Sequence, residues 1–297
     1  MPAQEISPQY RPLITKRTAD WCPNCGSWGW TFFHWVLEDN DDRAVIWAAH
    51  HSGSLETPVS GAIADNFGGF SQPIFYLNEV DLQVYSSNMS QKRTEVAQQV
   101  DAMAQQQPAA GIGLQAWIDG DVLHAEAAVE MLQDVQGAWR LGLYLVEKSH
   151  MAPQAGQSGE VAHQRLLRTA LTDDTFGDVL TENGAQTGAT YQVTASMTLT
   201  DPNWTADNLI VVAVLWQAEG DHFLPKNAAQ TDDFALPTAV AETHAAALAL
   251  WPNPATDVIR VRTASTVPAG EVRVYNALGE AVEAPVRQED GALEVDV

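Results

Sequence analysis

The chain has 297 residues, of which 45% are hydrophobic and 18% are charged. Asp and Glu total 38 against 15 Lys and Arg, giving a formal net charge of −23. Such an acidic surface repels phosphate groups, which excludes nucleic acids and anionic membranes as partners. No run of about 20 apolar residues occurs, so no transmembrane segment is expected. The length predicts two domains and a small third piece.

The first predicted domain, residues 1–107, alternates strand and helix patterns. Apolar residues recur at helical spacing after Trp28, while the continuous apolar run at 44–49 predicts a central strand covered on both faces. Gly26 and Gly29 predict close packing within the first helical pattern. The predicted strands cover 13–21, 44–49 and 72–78, and the predicted helices cover 28–37, 57–67 and 90–107. This order predicts an α/β domain with one open sheet.

The pattern changes after Pro108 to an alternation of apolar and polar residues. Half-buried strands separated by turns predict an antiparallel β-sandwich domain over 108–230. Within it, only 161–171 has a helical pattern. Residues 231–248 are rich in Ala, Asp, Thr and Pro and predict a linker, and a short β segment follows over 249–297.

Both cysteines of the chain lie in Trp21-Cys22-Pro23-Asn24-Cys25. The motif follows a predicted strand and precedes a predicted helix, with Pro23 in the first turn, where proline is tolerated. Unpaired N–H groups and the dipole at a helix N-terminus lower the pKa of a thiol, which makes Cys22 the candidate nucleophile. Cys25 would resolve the mixed disulfide that Cys22 forms.

Two alternatives to redox chemistry remain open for this motif. The pair could form an inert disulfide that holds the start of the helix. It could also bind copper, because two thiolates with His50 or His51, at the end of the neighbouring strand, suit that metal. No nucleophile-elbow, phosphate-loop or dinucleotide motif occurs, and no cofactor is expected.

The first segment resembles the thioredoxin fold, on the evidence of Trp21-Cys22-Pro23-Asn24-Cys25 and the later Pro73. The resemblance implies that a cis-proline packs against the cysteine pair. The candidate bond is Gln72–Pro73, since cis peptide bonds are nearly confined to X-Pro. Trp21 adjoins Cys22 and would shape the rim of the site. The implied catalytic group is therefore Cys22, Cys25, Pro73 and Trp21.

Residues from about 10 to 235 are also similar to the family related to the twenty-eight-kilodalton outer membrane lipoprotein of Bacteroidetes. The motifs that carry this similarity are Cys22-Pro23-Asn24-Cys25, Ala48-Ala49-His50-His51-Ser52-Gly53, Pro73 with Asn78, Leu143-Tyr144-Leu145-Val146-Glu147, Gln154 with Gly156, and His163-Gln164-Arg165-Leu166-Leu167-Arg168. The resemblance implies a thioredoxin-like domain followed by a β-sandwich-like domain, on a protein exported to the envelope or surface.

The tail resembles the sorting domain of type IX secretion cargo, through Pro252-Asn253-Pro254-Ala255-Thr256-Asp257 and Val272-Arg273-Val274-Tyr275-Asn276-Ala277-Leu278-Gly279. Such domains end in a Gly-x-Tyr strand, which is missing before Val297, so a partial sorting domain is expected. The resemblance implies that the type IX secretion machinery is a partner and that the protein is outer-membrane, surface-exposed or secreted.

These observations lead to one main hypothesis, an exported thioredoxin-like protein that exchanges thiols and disulfides with other proteins through Cys22 and Cys25. The main alternative is a non-catalytic surface or secreted interaction protein with an inert structural disulfide. Copper binding by the cysteine pair and a histidine is the third.

Overall fold

The computed structural model describes residues 5–235 and the backbone of six short strands between 249 and 296. Strand predominates among the residues that the structure describes, with 44% strand against 20% helix. The chain divides into two compact units, one of residues 4–237 and one of residues 238–297 with 1–3.

The first half of the larger unit alternates strands and helices, as predicted. Its strands are β1 (Leu13–Thr18), β2 (Val45–His50), β3 (Ile74–Leu77) and β4 (Val80–Asp81). Its helices are α1 (Pro23–Gly26), α2 (Trp28–Asn40), α3 (Pro58–Phe67) and α4 (Met89–Ala104). Thr57 and Ser60 form a reciprocal capping box that fixes the start of α3.

The second half is built from long strands. These are β5 (Ala110–Asp119), β6 (Val122–Met131), β7 (Trp139–Pro153), β8 (Glu160–Ala170), β9 (Asp178–Thr181), β10 (Thr190–Thr198), β11 (Leu209–Glu219) and β12 (His222–Thr231). A 3-10 turn, Ala206–Asn208, precedes β11.

Strands from both halves share one nine-stranded sheet. Its order is β12-β11-β7-β8-β2-β1-β3-β4, with β9 paired to β7. The pairs β1–β2 and β2–β8 are parallel, whereas β1–β3 and β7–β8 are antiparallel. A sheet that crosses the predicted boundary at 107/108 explains why residues 4–237 form one compact unit. The boundary itself stays a prediction from composition.

The helix predicted over 161–171 is wrong, because these residues form the strand β8. Leu166 and Leu167 are both buried since the sheet is covered on both faces at this point. The pairing of β8 with β7 shifts register between Leu145 and Val146, which leaves Arg168 as the extra residue. Two adjacent buried leucines interrupt the alternation of apolar and polar residues, so the sequence lacks the period of a half-buried strand.

The two faces of the sheet carry different layers. Val45 and Trp47 pack against α3, while Ile46 and Ala48 pack against α2 and α4, as the alternation of side chains in a strand requires. A three-stranded antiparallel sheet, β10-β6-β5, shares a further apolar core with β7 and β11. The antiparallel pairing predicted after Pro108 is therefore confirmed, although one of the two layers belongs to the long sheet.

The smaller unit contains only short strands among its described residues. They are β13 (Ala249–Trp251), β14 (Val258–Arg262), β15 (Val274–Tyr275), β16 (Ala281–Val282), β17 (Val286–Glu289) and β18 (Ala292–Asp296). Four of them form the sheet β13-β14-β18-β17, and β15 pairs with β16. Most of the predicted linker and the Pro252–Asp257 motif lie outside the described residues.

Candidate functional site

The two cysteines form a disulfide at a one-turn helix. Cys22 precedes α1, Cys25 lies within it, and their sulfurs are bonded. The expectation that the pair opens the long helix is corrected, because Ser27, with φ −98° and ψ −103°, separates α1 from α2. A four-residue helix has almost no macrodipole, so local N–H groups act instead. The backbone N–H of Cys25 donates to Cys22 Sγ at 3.2 Å.

Close packing on two sides explains why this turn stands apart from α2. A Cβ on Gly26 would lie 2.1 Å from the carbonyl oxygen of Ala155, and a Cβ on Gly29 would lie 2.5 Å from the ring of Pro73. The close packing predicted for both glycines is thereby confirmed. The break at Ser27 lets α1 pack against Ala155 while the start of α2 packs against Pro73.

Pro73 lies beside the cysteine pair, and the predicted cis bond Gln72–Pro73 is confirmed. The carbonyl oxygen of Gln72 is 3.4 Å from Cys22 Sγ. Cys22 is 5% exposed and Cys25 is fully buried. Any reagent that approaches the disulfide from solvent therefore meets Cys22 first.

Trp21, the predicted rim residue, precedes Cys22 in the chain and is 56% exposed. Its indole Nε1 donates to Ser52 Oγ at 3.1 Å. Asp20 connects the backbone at Trp21 to the loop that contains Ser52 and Ser54. Its carboxylate accepts hydrogen bonds from the backbone N–H groups of Trp21 and Ser54, each at 2.9 Å. The Trp21 ring is thus fixed at its base while its face stays in solvent.

Pro73 also lines a groove of about 290 Å³. Trp28 and Tyr85 contribute its aromatic walls, and Asp81 contributes its charged group. Tyr85 is mostly exposed. Gln72, whose carbonyl oxygen lies 3.4 Å from Cys22 Sγ, lines the same groove.

The tip of the β7–β8 hairpin also belongs to the site, which the sequence did not predict. Gln154 is buried, and its amide nitrogen donates to the carbonyl oxygens of Ala19, Asp20 and Cys22 at 3.0–3.2 Å. Gln157 donates to the carbonyl oxygen of Gly26. The hairpin therefore contacts the chain before and after the disulfide.

The two histidines of the copper hypothesis do not meet at the cysteines. His50 is buried beside His163, with ring centroids 5.5 Å apart, whereas His51 Nε2 lies 2.9 Å from a carboxylate oxygen of Asp65. No group of three or more His, Cys, Asp and Glu side chains suited to a metal occurs in the residues that the structure describes. The geometry gives the copper hypothesis no ligand set.

His50 instead lines a small cavity with Lys16, Thr18 and His163, beneath Trp30 of α2. Lys16 is only 3% exposed, and its amine lies 4.9 Å from the centre of the Phe33 ring. Burial lowers the pKa of Lys16 to about 7. Burial also lowers the pKa of His50 and of His163. This cluster was missed because nothing in the sequence marks Lys16 as an inward-facing residue.

A family model described as a secretion system C-terminal sorting domain matches residues 249–297. Among solved structures, HBP35 of Porphyromonas gingivalis is similar over 99% of this chain and 100% of that chain, with 18% identity and a TM-score of 0.63. CsgH of R. palustris covers 41% of this chain and 91% of its own, with 13% identity and a TM-score of 0.19. No curated protein matches the sequence.

These comparisons show a shared fold with the Porphyromonas gingivalis protein and a sorting domain at the C-terminus. The sorting domain marks the chain as a cargo of the type IX secretion system, exported to the outer membrane, the cell surface or the medium. None of the helices among the described residues combines the length and apolar character that a membrane span requires.

Proposed function

We propose that this exported protein exchanges thiols and disulfides with other proteins through Cys22 and Cys25, on a thioredoxin-like first segment. The observation that carries the proposal is the asymmetry of the pair beside the cis-proline. Cys22 keeps 5% exposure while Cys25 has none, and Gln72, whose carbonyl oxygen lies 3.4 Å from Cys22 Sγ, lines the groove beside Pro73. A nucleophilic thiol needs access, whereas a resolving thiol needs only its partner.

The proposed reaction starts from the reduced pair. The Cys22 thiolate attacks a disulfide of the substrate, forms a mixed disulfide and releases one substrate thiolate, which takes up a proton. The thiolate of Cys25 then attacks Cys22 Sγ and releases the second substrate thiol. Two electrons and two protons pass to the substrate, and the Cys22–Cys25 disulfide re-forms. The N–H of Cys25 that points at Cys22 Sγ stabilises negative charge there.

An insulin reduction assay with dithiothreitol as the electron donor tests this proposal. We expect turnover by the wild-type protein and none by the Cys22→Ser, Cys25→Ser variant. Equal rates for the two proteins would overturn the proposal.

An inert structural disulfide is the second candidate, favoured by the burial of the pair and the hydrogen bonds that hold it. Equilibration in a series of redox buffers separates the two functions. A pair still oxidised at potentials well below about −300 mV behaves as a structural disulfide, whereas a pair that titrates near the thioredoxin range of about −270 mV is suited to exchange.

A further inference from the structure

The β7–β8 hairpin tip, residues 153–159, interlocks with the backbone around the disulfide. Ala155 donates its N–H to the carbonyl oxygen of Asp20 at 2.7 Å. Gly156 has a φ of 90°, and a Cβ on it would lie 2.6 Å from the carbonyl oxygen of Pro23. Only glycine fits this position, because the left-handed conformation and the close approach both exclude a side chain.

Gln154 makes the buried part of this interlock. Its two amide N–H groups are shared among the carbonyl oxygens of Ala19, Asp20 and Cys22, which lead into the disulfide, and that of the adjacent Ala155. The carbonyl of Cys22 also accepts the N–H of Cys25 at 3.1 Å and of Gly26 at 3.3 Å. The hydrogen bond from Gln157 to Gly26 closes the other end of the same turn.

We infer that Gln154 is a positioning residue that stabilises the disulfide form of Cys22 and Cys25 over the dithiol form. Reduction removes the sulfur–sulfur bond, and the two sulfurs must then move apart to non-bonded distance. A turn held at both ends resists that movement, and it keeps the two thiols at a high effective concentration for re-oxidation. The hairpin, on the second segment of the chain, thus sets the reduction potential of the pair on the first.

The inference deepens the proposed function, but its test needs no protein substrate. The protein is equilibrated with reduced and oxidised glutathione, and the fraction of free thiol is measured by alkylation and mass spectrometry. In this equilibrium two glutathione thiols supply two electrons and two protons, the Cys22–Cys25 bond breaks, and one glutathione disulfide forms. A protein inactive in the insulin assay can still be titrated, so the two proposals fail separately.

Gln154→Met keeps the length of the side chain and removes its donors. We expect the equilibrium constant for reduction to rise about tenfold, which corresponds to about 30 mV. Gln157→Ala, at an exposed position, should raise the same equilibrium constant two- to fivefold, which corresponds to about 9–21 mV. This variant can still be measured if Gln154→Met fails to fold. The matched control is Gln217→Met, because Gln217 donates to the carbonyl oxygen of Gln136 at 3.2 Å, outside the hairpin tip.

A purely structural role would lower the stability of the oxidised and reduced proteins equally and leave the potential unchanged. Thermal unfolding of both forms of each variant therefore accompanies the titration. The inference would be overturned if the equilibrium constants for reduction of Gln154→Met and Gln157→Ala lay within 1.5-fold of the wild-type value. A shift of these constants that favours the disulfide would overturn it as well.

Discussion

Replacing Lys16 with methionine should make the protein more stable, and by an amount that depends on pH. The amine is buried on β1, and no carboxylate in residues 5–235 forms an ion pair with it. Lowering its pKa from 10.5 to about 7 corresponds to about 5 kcal/mol, at about 1.4 kcal/mol for each pH unit. Methionine fills similar space without a charge. It forfeits the contacts of the amine with the Trp30 and Phe33 rings, worth about 2 kcal/mol.

The sign follows from the protons bound by each state. Between pH 7 and 10.5 the unfolded chain holds a proton on Lys16 that the folded protein has lost, so the wild-type free energy of unfolding rises with pH. Below pH 7 both states are protonated, and the full penalty of the buried charge is present. We therefore expect Lys16→Met to be about 3 kcal/mol more stable than wild type at pH 6 to 7.

Urea denaturation of the oxidised proteins between pH 6 and 9.5 measures this difference. The advantage of Lys16→Met should fall by about 1.4 kcal/mol for each pH unit above 7.5. Lys92→Met is the control, because Lys92 pairs with Glu95 on the surface of α4, and it should change stability by less than about 0.5 kcal/mol at any pH. A stability difference for Lys16→Met that does not vary with pH would refute the argument.

Three further substitutions test the packing around the site and the sheet. Gly26→Ala should lower the free energy of unfolding by about 3 kcal/mol, because its Cβ would overlap the carbonyl of Ala155; an unchanged urea midpoint would contradict the interlock. Glu147→Gln should cost about 3 kcal/mol at pH 7, since it leaves Arg168 without its buried carboxylate at 3.3 Å. A cost below about 1 kcal/mol would show that the pair is solvated. Tyr144→Phe should cost about 2 kcal/mol by the same assay, because the buried hydroxyl donates one hydrogen bond and accepts another.

Local patterns were enough to predict the elements around the disulfide. The apolar run at 44–49 corresponds to β2, and the helical stripe after Trp28 corresponds to α2. X-Pro chemistry together with the resemblance predicted the cis bond at Pro73. In each case the signal lies within a few residues of the feature that it predicts.

The features that the sequence did not predict depend on contacts between residues far apart in the chain. Gln154 reaches Cys22 across 132 positions of sequence, and no local pattern marks an amide as a partner for remote carbonyls. Lys16 looks like the polar residue of a half-exposed strand, because the sequence does not show that Trp30 and Phe33 of α2 cover its side chain. The strand β8 looks helical because its sheet is buried on both faces. Tertiary burial, which the sequence does not display, decides all three.

Trapping of the mixed disulfide tests whether Cys22 is the nucleophile of the pair. Cys25→Ser and Cys22→Ser are each incubated with a disulfide-bonded protein substrate, and covalent adducts are detected by non-reducing electrophoresis and mass spectrometry. The account predicts an adduct through Cys22 in Cys25→Ser and none in Cys22→Ser, because Cys25 is fully buried. Absence of an adduct in both variants, or an adduct through Cys25, would contradict it.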